Sequence, residues 1–336
     1  MKRKLAVFGA PSSVGGAATK IRDLIRLLRF DFDIGVYVAG NGFSKNQDVV
    51  RSVEYEGMAL RHRSQFDKHP ADVALAVCEL DFFSSGIAAE ITKGGTRLVW
   101  SNDMMWEFKG EAEAVREGLV SRVIFVSDVQ RTAFHDMYMG IEQRLIPNYV
   151  APGSFPLVER KSSTFAIGRL SRPDPAKYPK DFPVFYESLG LEDVCYRVQA
   201  WSEELRKKYA WHRFGPEWNL LPANKIPAAE FLSQLDLFVY PLGNGFVESW
   251  GRSTVEAMLT GCVPLVPRGH NFEQMMLHGE SGFICGSFAE FKVVTQELYG
   301  NRALRLQIGR QAAHHARTVL CNEEEHRRMW LEALTF

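Results

Sequence analysis

Two carboxylates, Glu248 and Glu256, stand with seven residues between them in the run FVESWGRSTVEAMLTGC. Carboxylates accept hydrogen bonds from hydroxyl pairs. Two of them flanking one anion site would suit a ligand with hydroxyls at both ends of a diphosphate, the layout of a nucleotide-sugar. The surrounding stretch supplies such an anion site. Leu235–Tyr240 is an apolar run with one acid, Asp236, of the length of a buried parallel strand. Pro241, Gly243, Asn244 and Gly245 break it. Ser253–Leu259 suits a helix that Gly261 would end as a left-handed cap, and Cys262–Val266 reads as the next strand. With Glu248 at the helix entrance, Glu256 lies roughly two turns further in, about 12 Å along the axis. The helix N-terminus between them offers free N–H groups and a positive dipole end, which suit a phosphate. A plainer reading fits the same residues. Ser253 and Glu256 have the spacing of a capping box, and Glu248 can be an ordinary loop carboxylate.

Glu248, Gly251, Glu256, Ala257, Gly261 and the strand start Val263-Pro264 together resemble the E-x7-E signature of retaining glycosyltransferases of the GT-B fold, family 4. The resemblance is clear over about the C-terminal half and diffuse over the N-terminal half. It implies an α/β fold of two Rossmann-like domains facing each other across a cleft. Residues 1–150, rejoined by a C-terminal helix over about 320–336, would form the acceptor side, and residues 151–319 the nucleotide-sugar donor domain. The activity implied is transfer of a hexosyl group from a nucleotide diphosphate sugar, UDP-sugar ahead of GDP-sugar, with retention. No metal and no cofactor beyond that co-substrate are expected. The acceptor class stays open among glycans, lipid-linked sugars and small molecules.

The resemblance also assigns residues. Glu248 would bind the donor sugar and Glu256 the ribose diol, with Ser249, Trp250, Gly251 and Arg252 between them at the donor. An Arg and a Lys after the donor domain's first strand would clamp the diphosphate. Arg169 fits the first place, and Lys177 is preferred for the second over Lys180 and Arg172, because the usual spacing is stretched. A transferase without a metal must neutralise its leaving diphosphate with fixed cations. Leu220 and Leu221 would line the base pocket through their backbone. Gly15 and Gly16 would face diphosphate and acceptor, or form a plain tight turn. Asp103 would serve the acceptor side and Trp106 stack on a sugar; otherwise Asp103 caps a helix and Trp106 packs in the core. Rival functions are another GT-B activity, such as a nucleotide-sugar epimerase or a sugar phosphorylase, and a non-catalytic nucleotide-sugar binder.

The elements that must position these residues follow in order. Leu5–Phe8 reads as a first strand, Gly9–Gly16 as its loop, and Ala17–Phe30 as a helix with Ile21, Leu24, Ile25 and Leu28 on one face. The loop has neither Walker A nor G-x-G-x-x-G spacing. Lys20, Arg22, Arg26 and Arg29 make the other face basic, which suits solvent or a peripheral contact with an anionic membrane. Ile34–Ala39, Asp72–Val77 and Arg97–Trp100 read as further strands, and Val123–Val126 as the closing one, with Ser127-Asp128 starting the next helix. Pro147, Pro152 and Pro156 mark a stiff linker. A second sheet opens with Thr164–Ile167, continues through Cys195–Val198 and His212–Phe214, and reaches the central stretch after a helix at Ala228–Leu235. Ser281–Ile284 reads as turn and strand. Helices are expected over Phe288–Tyr299, Arg302–Val319 and Glu323–Leu334.

Composition bounds the rest. A chain of 336 residues with 46% hydrophobic content has ample core material for two domains. Forty basic and forty acidic side chains cancel, so no whole-molecule field favours nucleic acid. Cys78, Cys195, Cys262, Cys285 and Cys321 are scattered, as in reduced thiols rather than a zinc site or disulfide frame. His314 and His315 are adjacent, on different helix faces, and make a poor chelate. No stretch approaches the roughly 20 apolar residues of a membrane span, and cytoplasmic residence is expected.

Overall fold

The computed structural model describes residues 2–11, 15–38, 50–51, 57–160 and 164–336. Ser12, Ser13 and Val14 of the glycine loop and Ala39 of the expected second strand lie outside the described residues. The chain divides into two units, Met1–Tyr149 with Asn322–Phe336, and Val150–Cys321.

In the first unit, β1 (Arg3–Phe8), β2 (Phe32–Val38), β3 (Ala59–His62), β4 (Val73–Val77), β5 (Arg97–Ser101), β6 (Arg122–Phe125) and β7 (Glu142–Leu145) form one sheet. Its order is β3-β2-β1-β4-β5-β6-β7, with every pairing parallel. The crossovers include α1 (Gly16–Leu28), α2 (Ile87–Lys93), α3 (Glu111–Arg116) and α4 (Asp128–Ala133). Continuous apolar strands such as Val73-Ala-Leu-Ala-Val77 are buried throughout, as they must be when helices cover both faces. Phe8, Tyr37, Phe66, Phe82 and Trp100 stack across one face as an aromatic core. Val123–Val126 was expected to close this sheet. Instead β7 continues it, and β3 borders the other end. Both are four-residue polar edge strands (Ala-Leu-Arg-His and Glu-Gln-Arg-Leu) with little apolar pattern to announce them.

In the second unit, β8 (Phe165–Leu170), β9 (Val194–Gln199), β10 (Trp218–Leu221), β11 (Leu237–Val239), β12 (Val263–Pro267) and β13 (Phe283–Cys285) form a parallel sheet in the order β10-β9-β8-β11-β12-β13. The helices are α5 (Phe182–Glu187), α6 (Glu203–Lys208), α7 (Ala228–Ser233), α8 (Arg252–Thr260), α9 (Phe272–Met275), α10 (Phe288–Gly300) and α11 (Arg302–His315). A π-helical turn, Ala316–Leu320, ends α11 where a helix to Val319 was expected. His212–Phe214, read as a strand, is irregular, and Trp218–Leu221 takes the sheet edge instead.

The last helix, α12 (Glu323–Ala333), belongs to the first unit. Trp330 is fully buried, and Arg122 donates to the carbonyls of Glu332, Ala333 and Thr335. A buried cation there satisfies the otherwise orphaned helix C-terminus.

In each sheet the strand order reverses once, between β1 and β4 and between β8 and β11. Open α/β sheets bind ligands at the carboxyl ends of the strands beside such a reversal. Those ends carry the Gly9 loop and Cys78 in the first unit. In the second they carry the Lys177 loop and the Tyr240–Gly251 loop.

Candidate active site

In the second unit, β11 feeds Tyr240 and Pro241 into the loop that ends at α8. The Glu248 carboxylate is buried within it, and its Oε2 accepts from Lys177 Nζ at 2.8 Å and from Tyr240 Oη at 2.9 Å. The Glu248 backbone N–H donates to His270 Nδ1 at 3.3 Å. Burial pushes the Glu248 carboxyl up, but Lys177, the Tyr240 hydroxyl and the Arg169 charge outweigh it and hold the group below the usual carboxylate range. Burial likewise pulls Lys177 down, and Tyr240 and Glu248 overcome that, leaving the ammonium above its ordinary value. Burial, then the Glu248 charge, pushes the Tyr240 phenol up to about 12. Carboxylate, ammonium and neutral phenol therefore coexist at neutral pH.

Glu256 sits one turn inside α8, where its Oε1 accepts from Arg252 Nε at 2.9 Å. The helix starts at Arg252 with Gly251 as its N-cap, so Ser253 lies inside the first turn and the capping-box reading falls. Gly251 has φ 85°, and a Cβ there would meet Phe272 Cε1 at 2.5 Å; only glycine fits. As the N-cap, Gly251 has no side chain with which to cap this helix start. The Thr254 N–H turns back to the Gly251 carbonyl at 2.9 Å, and the positive dipole end of the helix lies at Gly251. Gly261 ends α8 with φ 83°, the left-handed cap expected of it. Trp250 is buried beside the loop and Ser249 half-buried.

Arg169 is placed differently from the open clamp expected of it. Strand β8 runs on to Leu170, so Arg169 lies inside the strand rather than after it, on the same side as the core residue Ile167. Its side chain is completely buried. It donates to Pro241 O at 2.7 Å and Lys177 O at 3.4 Å, and the guanidinium lies 3.9 Å from the Tyr178 ring centroid and 4.4 Å from that of Tyr240. It ties together the two loops that carry Lys177 and Glu248. Of the candidate cations, Lys177 is the one brought to Glu248. Arg172 pairs with Asp174 at 3.1 Å, and Lys180 is exposed. Leu220 and Leu221 are not brought to this cluster, since β9 and β8 lie between β10 and β11. The Leu221 carbonyl already accepts from Trp201 N, while Leu220 lines an open depression of about 340 Å³ with Trp201, Arg206 and Phe214.

The first unit gathers its own polar cluster at the ends of β4 and β5. Asp103 Oδ1 accepts from Lys20 Nζ at 2.7 Å and from Ser101 Oγ at 2.9 Å, and Lys20 also reaches Ser101 Oγ at 2.9 Å. The Asp103 N–H donates to Cys78 Sγ at 3.2 Å, with Cys78 in the left-handed region at φ 47°. Asp103 is thus a buried partner of Lys20, not a helix cap; the next helix is capped by Gly110. Lys20 is 1% exposed and Arg22, Arg26 and Arg29 are half-buried, so the basic solvent face expected of α1 is not one. Gly15 and Gly16 stand exposed at its start. Trp106 is 43% exposed rather than packed in the core. Its loop is fastened from beneath by Glu111, whose buried carboxylate accepts from Trp100 Nε1, Asn102 Nδ2 and Phe108 N at 2.6, 3.1 and 2.6 Å, and from Tyr138 Oη.

No family model matches the sequence, and no curated protein does. Solved structures match it end to end. Anabaena HepE in complex with UDP-glucose superposes with a TM-score of 0.78 at 16% identity, over 99% of each chain. Sucrose-phosphate synthase from Thermosynechococcus elongatus gives 0.74 at 11% identity, over 99% of this chain and 98% of that one. The lipopolysaccharide outer core galactosyltransferase WaaB in its apo form gives 0.66 at 12%, over 98% and 100%. The chain has the GT-B fold.

Within this GT-B chain the sequence reading missed Tyr240, His270 and Lys20. Tyr240 carries a usable signal, because it ends a strand directly before Pro241 at the edge where such sheets bind ligands. His270 and Lys20 carry none. One is a lone histidine after β12, and the other sits in a helix whose charges read as solvated.

Proposed function

We propose that the chain is a retaining, metal-independent glycosyltransferase of family 4 that uses a UDP-sugar. The observation that carries this is the Glu248 carboxylate, held by Lys177 and Tyr240 beside a helix start at Gly251, with Glu256 one turn inside that helix. Glu248 accepts from hydroxyls of the transferred sugar and Glu256 from the ribose diol. Lys177 and the first N–H groups of α8 neutralise the departing diphosphate. Arg169 acts through its neighbours, by fixing the Pro241 and Lys177 carbonyls. On the acceptor side, Asp103 serves the incoming hydroxyl and Gly15-Gly16 present open backbone at the start of α1. The bond between the anomeric carbon and the diphosphate oxygen breaks, the acceptor oxygen bonds to that carbon on the same face, and the acceptor hydroxyl's proton leaves on the departing diphosphate. HepE was solved with UDP-glucose, which supports a UDP-sugar as first donor to try. No helix is long and apolar enough to cross a membrane among the described residues. We place the enzyme in the cytoplasm, where nucleotide-sugars are the natural co-substrate.

The test is incubation with UDP-sugars and an acceptor panel, with the anomeric configuration of any product read by NMR. A product of inverted configuration would sink the retaining assignment. Conversion of the donor without an acceptor to an epimer, or consumption of phosphate, would move the chain to another GT-B activity.

A further inference from the structure

The loop between β12 and α9, residues 268–271, and the first residue of α9, Phe272, touch the Glu248 loop at two points. Phe272 packs against Gly251, and His270 Nδ1 accepts the Glu248 backbone N–H at 3.3 Å. The His270 ring is half-buried, 5.9 Å from the Phe272 ring centroid, and Phe272 lies 6.3 Å from Tyr240. Tyr240 in turn donates to the Glu248 carboxylate, so backbone and side chain of Glu248 are held from one wall. A ring nitrogen that accepts a hydrogen bond carries no proton, which places the imidazole proton on Nε2.

We infer that His270 is a positioning residue for Glu248: its neutral imidazole pins the Glu248 amide, and protonation at Nδ1 sets a donor against that N–H and frees the loop. The inference rests on the proposed donor-sugar role of Glu248 and adds control of that role by pH. The groups facing the ring are mixed. Burial disfavours its charged form, while Glu248 and Glu273 favour it. Lys177 on Glu248 Oε2 offsets part of the first carboxylate, and Glu273 Oε1 is engaged by the Gly269 N–H at 2.9 Å. Arg268 stands exposed in the same loop. Burial prevails, and the ring titrates below the ordinary histidine value. In the unfolded chain the ring takes up its proton first as pH falls. The stabilisation it gives is therefore complete above the ordinary value and declines below it.

Imidazole nitrogen NMR of the full chain across pH decides the tautomer without any ligand, with His270→Asn identifying the signal by its loss. Proton on Nε2 and a midpoint below the ordinary histidine value are expected. A proton on Nδ1 at neutral pH, or an unshifted midpoint, overturns the inference. Calorimetry with UDP and UDP-glucose then reads the consequence. His270→Ala should weaken UDP-glucose binding several-fold to about tenfold, the range of one hydrogen bond, and spare UDP. His270→Asn, whose amide oxygen can stand near Nδ1 and does not titrate, should restore most of the loss and remove the acid decline seen in the parent. Equal UDP-glucose affinity of parent and His270→Ala at every pH also overturns the inference. If the parent binds neither ligand, the donor reading fails, while the NMR result still decides whether the ring pins the amide.

Discussion

Lys177 and Glu248 form a buried ion pair at the heart of the proposed donor site. Each group is kept charged by the other, and both stay partly open, with side chains 12% and 10% exposed. Glu248, with its carboxyl held low, stabilises the fold above the ordinary carboxylate range, and this is lost as pH falls through its lowered value. Lys177, held high, does so below the ordinary ammonium value and loses it as pH rises through its own raised value. Lys177→Met leaves a buried carboxylate without its cation, which costs about 3–5 kcal/mol at neutral pH. Denaturant unfolding should show that deficit shrinking in mild acid, as the stranded Glu248 takes up a proton; a deficit that does not shrink would count against the pairing. Arg169→Ala separates buttress from clamp. The variant should lose stability, roughly 1.5–3 kcal/mol for each charged hydrogen bond removed, and weaken UDP and uridine binding together. Unchanged stability with selective loss of UDP would restore the clamp. The paired glutamates were legible because their spacing and glycine setting are local. The placement of Arg169 depends on where β8 stops: the strand was expected to end at Ile167 and runs three residues further, to Leu170, which carries the side chain into the core.

At the scale of elements, the junction of loop and α8 depends on Gly251. Its positive φ and the Phe272 ring against it leave no room for a methyl group. Gly251→Ala should therefore destabilise by roughly 1–3 kcal/mol and weaken donor binding in the same protein, read by thermal unfolding and calorimetry. A variant as stable as the parent would show that the helix start is not fixed as described. The central strands, α1 and α8 could be read from the sequence because burial on both faces or one face leaves an apolar pattern of fixed period. The edge strands β3, β7 and β10 could not, since half-exposed four-residue segments carry no such pattern. The charges of α1 were misread for a related reason. Periodicity gives the apolar face of a helix, but it cannot show that Asp103, from a distant loop, reaches in to pair with Lys20.

For the whole molecule, charge balance and the absence of a whole-chain field leave ligand binding to local sites, and the GT-B architecture supplies a strand reversal in each unit to build them on. If fixed cations and helix N–H groups neutralise the diphosphate, excess EDTA should leave turnover unchanged; loss restored by Mn²⁺ or Mg²⁺ would contradict that. The central claim is that Glu248 contacts the transferred sugar and not the nucleotide, and the most direct measurement is calorimetric titration of the parent and Glu248→Gln with UDP and UDP-glucose. The variant should bind UDP at least as tightly as the parent, since Lys177 is released from its partner. It should lose about 1.5–3 kcal/mol, tenfold or more, with UDP-glucose, because a charged acceptor for sugar hydroxyls has become a neutral one. Equal affinities of parent and variant for UDP-glucose, or an equal loss for both ligands, would contradict the account.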